Sequence, residues 1–370
     1  MSEEYPLMAF IANEGVAPKG ERYDRSSLVT DTENKLYKRT EFGDFIYSSN
    51  NLETGSIGLN KYGKACISPV YSIFQPTGIA DSDFLGRRLV RKDFINSMVK
   101  WRQGVIYGQW RIHESDFLKI EIPVPSVEEQ KQIGTFLDYL DNLITLHQRK
   151  YDKLTNVKKS MLEKMFPKNG SNVPEIRFKG FSDAWEQRKL GDIMNVTSVK
   201  RIHQSDWTDS GIRFLRARDI VSASKNEEPD DYLYISKEKY DEYSLVSGKV
   251  TIGDLLVTGV GTIGVPYLIR NSEPLYFKDG NIIWFQNGTK IDGDFFLYSF
   301  FGKAIQDFIN ESAGIGTVGT YTIESGKKTP ISLPEMKEQQ QIGAYFRTLD
   351  NLITLHQREP TYFTGGFYAE

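Results

Sequence analysis

The chain has 370 residues, of which 39% are hydrophobic and 26% charged, as in an ordinary soluble globular protein. The single cysteine, Cys66, excludes an internal disulfide framework and is typical of the cytoplasm. No apolar run of 18 residues is present, so we expect no membrane contact. The formal net charge of -3 counts mildly against a nucleic-acid binder without excluding one.

In chain order, the first clear pattern is a turn and a buried strand at Gly43-Asp44-Phe45-Ile46-Tyr47, which returns at Gly253-Asp254-Leu255-Leu256-Val257. Two further pairs of segments correspond in the same order: Gly55-Ser56-Ile57-Gly58 with Gly261-Thr262-Ile263-Gly264, and Ser72-Ile73-Phe74-Gln75 with Ile283-Trp284-Phe285-Gln286. We therefore predict an α+β protein with two tandem, pseudo-symmetric domains, each β-rich with some helices.

A long helix follows the first domain. Its main apolar positions recur at alternating intervals of four and three residues, which is the heptad pattern of helices that supercoil on one another. Two positions of this seam, His147 and Lys158, are polar, and the others are Ile133, Leu137, Leu140, Ile144, Tyr151, Leu154, Met161 and Met165. This run of 33 residues predicts a rod of about 50 Å at ~1.5 Å per residue.

The second domain ends in the same helix. The run Leu-Asp-Asn-Leu-Ile-Thr-Leu-His-Gln-Arg occurs at residues 140–149 and again, unchanged, at residues 349–358, and a Glu-Gln-x-Gln-Ile-Gly segment precedes each copy. The second apolar seam consists of Ile342, Phe346, Leu349, Ile353 and His356. We predict that the two seams pack on each other. The alternative is that each helix packs on its own domain.

We find no catalytic or metal-binding pattern in the sequence that stands in the structural context such a site requires. Gly259-Val260-Gly261-Thr262-Ile263-Gly264 matches a dinucleotide-binding pattern in letters, but Pro266 and a predicted strand follow, so we interpret it as a turn. No metal-ligand spacing relates Cys66 to the four histidines, His113, His147, His203 and His356. We therefore predict no catalytic residue, no metal and no cofactor in this chain.

Two clusters of basic residues lie within the predicted domains. They are Arg87, Arg88, Arg91, Lys92, Lys100 and Arg102 in the first, and Lys200, Arg201, Arg213, Arg216, Arg218 and Lys225 in the second. Arg and Lys dock on DNA phosphates, while a few side chains reach base edges. Because the clusters do not correspond in the repeat, they suit two different recognition targets, and we predict that they bind DNA. The alternative is a solvated charged face.

The whole pattern resembles the specificity subunit of type I restriction-modification systems. The resemblance depends on the repeated segments above and on Lys164-Met165-Phe166-Pro167, Pro174-Glu175-Ile176-Arg177-Phe178 and Phe181-Ser182-Asp183-Ala184-Trp185-Glu186. It implies target-recognition domains at residues 1–125 and 185–334, spacer helices at 126–168 and 335–359 that pack as an antiparallel coiled coil, a linker at 169–184 and an atypical tail at 360–370.

The resemblance also implies what the protein does. A non-catalytic subunit of this kind recognises a bipartite site in double-stranded DNA, and its helices are the main docking surface for modification subunits, which methylate adenine. Two modification and two restriction subunits would be its partners. S-adenosylmethionine, ATP and Mg²⁺ would belong to those partners, in the cytoplasm of a bacterium or archaeon.

The register of the repeat leaves an alternative function. The second domain opens near Trp185, whose counterpart falls before residue 1, and the second helix meets Pro360. We therefore expect an incomplete first domain and a truncated second helix. The chain could then be a truncated specificity subunit that binds modification subunits without productive DNA recognition. An independent DNA-modifying enzyme is disfavoured because its catalytic motifs are missing.

Overall fold

The computed structural model describes residues 3–18, 36–106, 109–168, 170–229, 231–313 and 319–364. Contacts divide the chain into two units, Met1–Leu143 and Ile144–Glu370, and the boundary falls within a long helix. Of the predicted atypical tail, residues 365–370 lie outside the described residues.

Unit 1 consists of short strands and helices and ends within the long helix α4. The elements are β1 (Ala9–Ile11), β2 (Gly15–Ala17), β3 (Lys38–Thr40), β4 (Phe45–Tyr47), β5 (Ile57–Leu59), β6 (Ala65–Ile67), β7 (Ser72–Phe74), α1 (Ser82–Leu89), α2 (Lys92–Val99), β8 (Gln103–Ile106), β9 (Gln109–Arg111), α3 (Glu114–Phe117) and α4 (Val127–Lys164). The central sheet has the order β5-β4-β7 and is antiparallel. Its core stacks the rings of Phe45, Tyr47, Phe74 and Phe117.

Unit 2 begins in the second half of α4 and has a larger set of elements. They are β10 (Glu186–Lys189), α5 (Leu190–Ile193), β11 (Asn195–Thr197), β12 (Trp207–Thr208), β13 (Ile212–Leu215), α6 (Ala217–Ser224), β14 (Leu233–Ile235), α7 (Lys237–Ser247), β15 (Leu255–Thr258), β16 (Pro266–Leu268), β17 (Leu275–Phe277), β18 (Ile282–Gln286), α8 (Gly293–Phe301), α9 (Lys303–Ser312), α10 (Ile323–Lys328), β19 (Pro330–Leu333) and α11 (Met336–Thr364). Two four-stranded sheets have the orders β11-β18-β15-β16 and β12-β14-β13-β17.

The two units contain the same strand core in the same register. In unit 1 Phe45 pairs with Phe74, and in unit 2 Leu255 pairs with Phe285. These four residues belong to two of the pairs of segments that correspond in the sequence, so the internal repeat is confirmed there at the level of strand pairing. The predicted match of residues 55–58 with residues 261–264 is wrong, because Ile57 and Gly58 lie in β5 while Ile263 and Gly264 lie in the turn before β16. The glycine-rich segment between β15 and β16 is a turn, with Gly261 and Gly264 at a φ of 76°. The prediction of a turn in place of a dinucleotide site is therefore confirmed.

The second long helix, α11, differs from its prediction in where it ends and in what covers its first turns. Its last helical residue is Thr364, so the helix continues through Pro360, where the sequence places an end. A proline removes one backbone donor and crowds one carbonyl, which can kink a helix without ending it. Near the start of α11, Ile342, Phe346 and Leu349 are buried in the core of their own domain, beside α8.

The burial of Ile342, Phe346 and Leu349 agrees with the alternative prediction, in which each helix packs on its own domain. A heptad stripe identifies the apolar face of a helix but does not identify what covers it. None of the helices in the described part of the chain combines the length and the apolar composition that a bilayer crossing requires.

Candidate nucleic-acid and subunit interface

Arg87, on α1, is surrounded by carboxylates and not free for a phosphate. Its guanidinium lies 2.6 Å from Asp138, 2.7 Å from Asp141 and 3.2 Å from Asp83. Burial alone would lower the pKa of Arg87, but hydrogen bonds to these three carboxylates raise it. Because Asp138 and Asp141 lie on α4, Arg87 joins the first domain to its helix. This position argues against the predicted role of Arg87 in DNA binding.

The rest of the first cluster divides into paired arginines and unpaired lysines. Arg88 and Arg91 both contact Asp93, at 3.0 and 3.4 Å. Arg102 forms a bidentate pair with a glutamate, Glu53, at 3.0 and 2.7 Å, and its side chain is only 12% exposed. The two lysines of the cluster are exposed and form no ion pair among the described residues: Lys92 and Lys100.

In the second cluster, two of the arginines are neutralised by nearby aspartates of the same domain. Arg216 contacts both Asp219 and Asp231 at 2.9 Å, and Arg218 also contacts Asp231. The guanidinium of Arg213 lies 3.7 Å above the ring of Tyr232. Lys225 is exposed, and the adjoining cleft is lined by one cation, Arg213, and by four acidic side chains, Asp219, Glu227, Glu228 and Glu273. This side of unit 2 is therefore poorly suited to phosphate.

Lys200 and Arg201 lie elsewhere, at an edge of unit 2 beside the end of α7. The Lys200 ammonium lies 3.9 Å above the ring of Tyr243, and its backbone N–H donates to Ser247 on α7. Arg201 pairs with an aspartate, yet 69% of its side chain is exposed. The neighbouring α7 residues Leu245 and Val246 are 89% and 72% exposed. Exposed cations next to exposed aliphatic groups match the phosphates, sugars and methyl groups that DNA presents.

Arg87 has a counterpart of different chemistry in unit 2. The Tyr298 hydroxyl donates to Asp350 at 2.6 Å, and Asp350 is the repeat equivalent of Asp141. Each domain is thus joined to its own helix at the same aspartate, by an arginine in one copy and by a tyrosine in the other. We did not identify these anchors from the sequence, although the repeated run already aligned the two aspartates.

Within unit 2 the second half of α4 contacts α11. The Nδ1 atoms of His147 and His356 lie 2.9 Å apart, and the Lys158 ammonium lies 2.5 Å from Asp350. Residue numbers rise along α4 between these contacts while they fall along α11, as in an antiparallel pair. A continuous coiled-coil seam stays a prediction. Of the remaining seam positions, Ile144 is 45% exposed and Met165 is buried. The others are half-buried: Ile133, Leu137, Leu140, Tyr151, Leu154, Met161 and Ile353.

Apolar side chains also lie on the outer faces of both helices. On α4, Phe136 is 53% exposed and Leu146 is 48% exposed. On α11, Leu352 and Leu355 are 38% and 52% exposed, and Leu355 is the repeat equivalent of Leu146. Burying one such side chain is worth about 1.5–3 kcal/mol, so exposed apolar side chains on both helices, with the Leu146/Leu355 position open in both copies, are typical of a protein-binding surface.

Two further findings concern residue types that often carry chemistry. In the described part of the chain no group of three or more His, Cys, Asp or Glu side chains is placed to hold a metal ion. The single cysteine, Cys66, is buried. The described surfaces have exposed cations, which suit phosphates, and exposed apolar side chains, which suit protein partners.

Comparisons with known proteins agree with the internal repeat. A family model described as the type I restriction modification DNA specificity domain matches twice, at residues 8–156 and 182–362. The chain is 26% identical over 333 residues to the type I restriction enzyme MjaVIII specificity subunit of Methanocaldococcus jannaschii, with 85% of this chain and 74% of that protein covered.

Two further relatives extend this result. A putative type I restriction enzyme specificity subunit of Haemophilus influenzae is 29% identical over 263 residues, which cover 66% of this chain and 60% of that protein. A crystal structure of a type I restriction-modification system S subunit from M. genitalium superposes with a TM-score of 0.56 at 14% identity. That superposition covers 98% of this chain and 87% of the other, and it shows a shared fold.

Proposed function

The chain belongs to the family of type I restriction-modification DNA specificity proteins, and from this premise we propose that it recognises a bipartite site in double-stranded DNA. Each of its two domains would recognise one half of the site. As a specificity subunit the chain is itself non-catalytic, so the chemistry belongs to its partners.

One observation carries the proposal: the two domains share a strand core in the same register but differ in their exposed cations. In the first domain these are Lys92 and Lys100, on or next to α2. In the second they are Lys200 and Arg201, beside α7. A common scaffold would hold each domain on its helix, while different surfaces would dock on unlike half-sites.

The partners follow from the outer faces of the helices. We propose that the apolar stripes on α4 and α11 dock two modification subunits, one for each copy, and that two restriction subunits complete the complex. S-adenosylmethionine, ATP and Mg²⁺ would be bound by those subunits. The stripe residues in question are Phe136, Leu146, Leu352 and Leu355.

A second candidate function is a scaffold that binds modification subunits without recognising DNA. The observation in its favour is that every arginine of the two basic clusters except Arg213 contacts a carboxylate. Such pairing reduces the positive field that attracts DNA.

The test is to co-express the chain with its modification subunit and to map methylated adenines across the host genome by single-molecule sequencing. A split motif with two unlike halves and a fixed gap is the expected result. A palindromic or single-half motif would mean that only one domain recognises DNA. Co-purification without methylation, and without salt-sensitive binding to duplex DNA, would support the scaffold instead.

A further inference from the structure

A buried glutamine near the start of α11 connects that helix to the second domain. Gln339 is only 4% exposed. Its Oε1 accepts a hydrogen bond of 3.0 Å from the backbone N–H of Asp292, and its Nε2 donates a hydrogen bond of 2.9 Å to the carbonyl of Pro334. One side-chain amide therefore links α11, the chain that enters it, and the N-cap residue of α8.

Unit 1 contains the same connection in its own copy. Gln130 on α4 is 1% exposed, accepts a hydrogen bond of 2.9 Å from the N–H of Asp81 and donates one of 2.8 Å to the carbonyl of Pro125. Gln130 and Gln339 are equivalent residues of the Glu-Gln-x-Gln-Ile-Gly segments. The contact thus recurs atom for atom in two domains whose other helix anchors, Arg87 and Tyr298, differ.

The glutamine completes a helix cap that the domain helix cannot complete alone. Asp81 and Asp292 are the N-cap residues of α1 and α8, and their side chains accept from the third helical residue. In a capping box, a Glu or Gln at that third position accepts from the N-cap N–H in return. Here that position is Phe84 or Phe295, so the acceptor comes from the long helix.

A glycine one turn further along brings the two helices close together. A Cβ at Gly343 would lie 2.6 Å from the Asp292 carboxylate and 2.9 Å from the backbone nitrogen of Phe295. At Gly134 in unit 1, a Cβ would lie 3.3 Å from the carboxylate of Asp83. Only glycine allows this approach in unit 2, where backbone and not only a mobile side chain stands in the way.

We propose that Gln130 with Gly134, and Gln339 with Gly343, are positioning residues that fix the angle of each recognition domain on its own helix and so determine the gap that the protein accepts between half-sites. The inference rests on the proposed function, since it concerns a bipartite DNA site. One added base pair moves a half-site by ~3.4 Å and turns it by about a tenth of a helical turn. A domain held by its helix at a fixed angle cannot follow that displacement.

The experiment uses the full chain in complex with its modification subunits. Initial methylation rates are measured on duplexes with the mapped site and on duplexes whose gap is one base pair longer or shorter. Gln339→Glu keeps the size of the side chain but replaces its donor with an oxygen that would face the Pro334 carbonyl at 2.9 Å. Gln340→Glu makes the same change of charge at the neighbouring exposed residue and is the matched control.

We expect Gln339→Glu to lower the rate ratio between the native and the altered gaps by about tenfold, because angular misplacement costs rates of that order. Gln340→Glu should keep the ratio of the wild type. An equal loss on all gaps, or an unchanged ratio, would overturn the proposal. If Gln339→Glu does not fold, Gln130→Glu with the exposed control Gln132→Glu decides the question in the first domain. A wild type that methylates no bipartite site would refute the proposed function instead.

Discussion

His147 and His356, which occupy the same place in the two copies of the repeated run, meet through the same atom. Their Nδ1 nitrogens lie 2.9 Å apart and their ring centroids 5.1 Å apart. A hydrogen bond between two Nδ1 atoms needs one of them as donor and the other as acceptor. The two rings must therefore differ in where their protons lie, so the identical helix segments are chemically unlike at the point where they touch.

This contact predicts a measurable coupling between the two histidines. His147→Ala, His356→Ala and the double variant form a cycle, and we expect a coupling free energy of about 0.5–1.5 kcal/mol from chemical denaturation. A cycle of His147 with His113, which belongs to the other unit, is the control. Additive effects of His147→Ala and His356→Ala would show that the histidine contact contributes nothing to stability.

Arg87 is expected to matter for stability more than for DNA affinity. Arg87→Gln leaves Asp83, Asp138 and Asp141 without their shared cation, so we expect a loss of about 1–2 kcal/mol in the free energy of unfolding of the first domain. Arg91→Gln, at a side chain that is 69% exposed, is the control and should change it little. Weakened DNA binding with unchanged stability would return Arg87 to the DNA-binding residues.

The same arginine gives a pH dependence with a defined sign. Burial alone would raise the pKa of Asp138, but Arg87 and Lys61 lower it below its usual value of 3.8. A carboxyl group with a lowered folded-state pKa adds stability above its unfolded-state pKa, and this stability is lost as the pH falls through the folded-state pKa. The difference in stability between wild type and Arg87→Gln should therefore shrink below about pH 3.8. A constant difference down to pH 2.5 would contradict the ion pair.

Lys200 and Arg201 are expected to act as phosphate contacts. In the assembled complex, replacing either by Ala should weaken binding to all duplexes alike and reduce the slope of log K against log salt by about one. Arg216→Ala is the contrasting variant: Arg216 is paired with Asp219 and Asp231, so its loss should lower stability while the salt slope stays the same. An unchanged slope for Lys200→Ala would remove this edge from the DNA surface.

The outer stripe of α11 is expected to bind a modification subunit. Leu355→Lys places a charge on a side chain that is already 52% exposed, so the fold should persist while co-purification of modification subunits falls from two to one. Leu245→Lys, at an exposed leucine on α7 and outside the two long helices, is the control. Retention of two subunits by the Leu355→Lys variant would exclude this face as the docking surface.

The strand core could be predicted because its signal is local. Two of the strand segments recur in both copies, so the alignment of the copies within one chain indicated the strands, while their pairing, such as Leu255 with Phe285, came from the structure. The apolar seam was less informative. Phe346 fits the heptad, yet its ring packs on Tyr298 of its own domain as well as on Phe166 at the end of the predicted first spacer helix, because periodicity records how much of a face is buried but not by what.

For the basic clusters, the sequence likewise showed where charges lie but not which groups pair with them. Neighbours in sequence suggested a shared cationic surface, whereas the partner of Arg102 is Glu53, 49 residues away, and that of Arg87 is Asp138, 51 residues away. Long-range ion pairs are set by the tertiary fold, and a single sequence contains no signal for them. Of the candidate cations, those without such partners are mostly lysines.

The repeated ten-residue run has a different role on each of three sides of its helix. One side binds its own domain through Asp141 or Asp350, another meets the sister helix through a histidine, and a third faces outward with a leucine, Leu146 or Leu355. These three contacts fall within two turns of one helix, since a turn has about 3.6 residues. A substitution of the aspartate, the leucine or the histidine in either copy would remove one of them, which is a physical reason for the two copies to share these three residues, whereas Asn142, Thr145 and Arg149 are exposed.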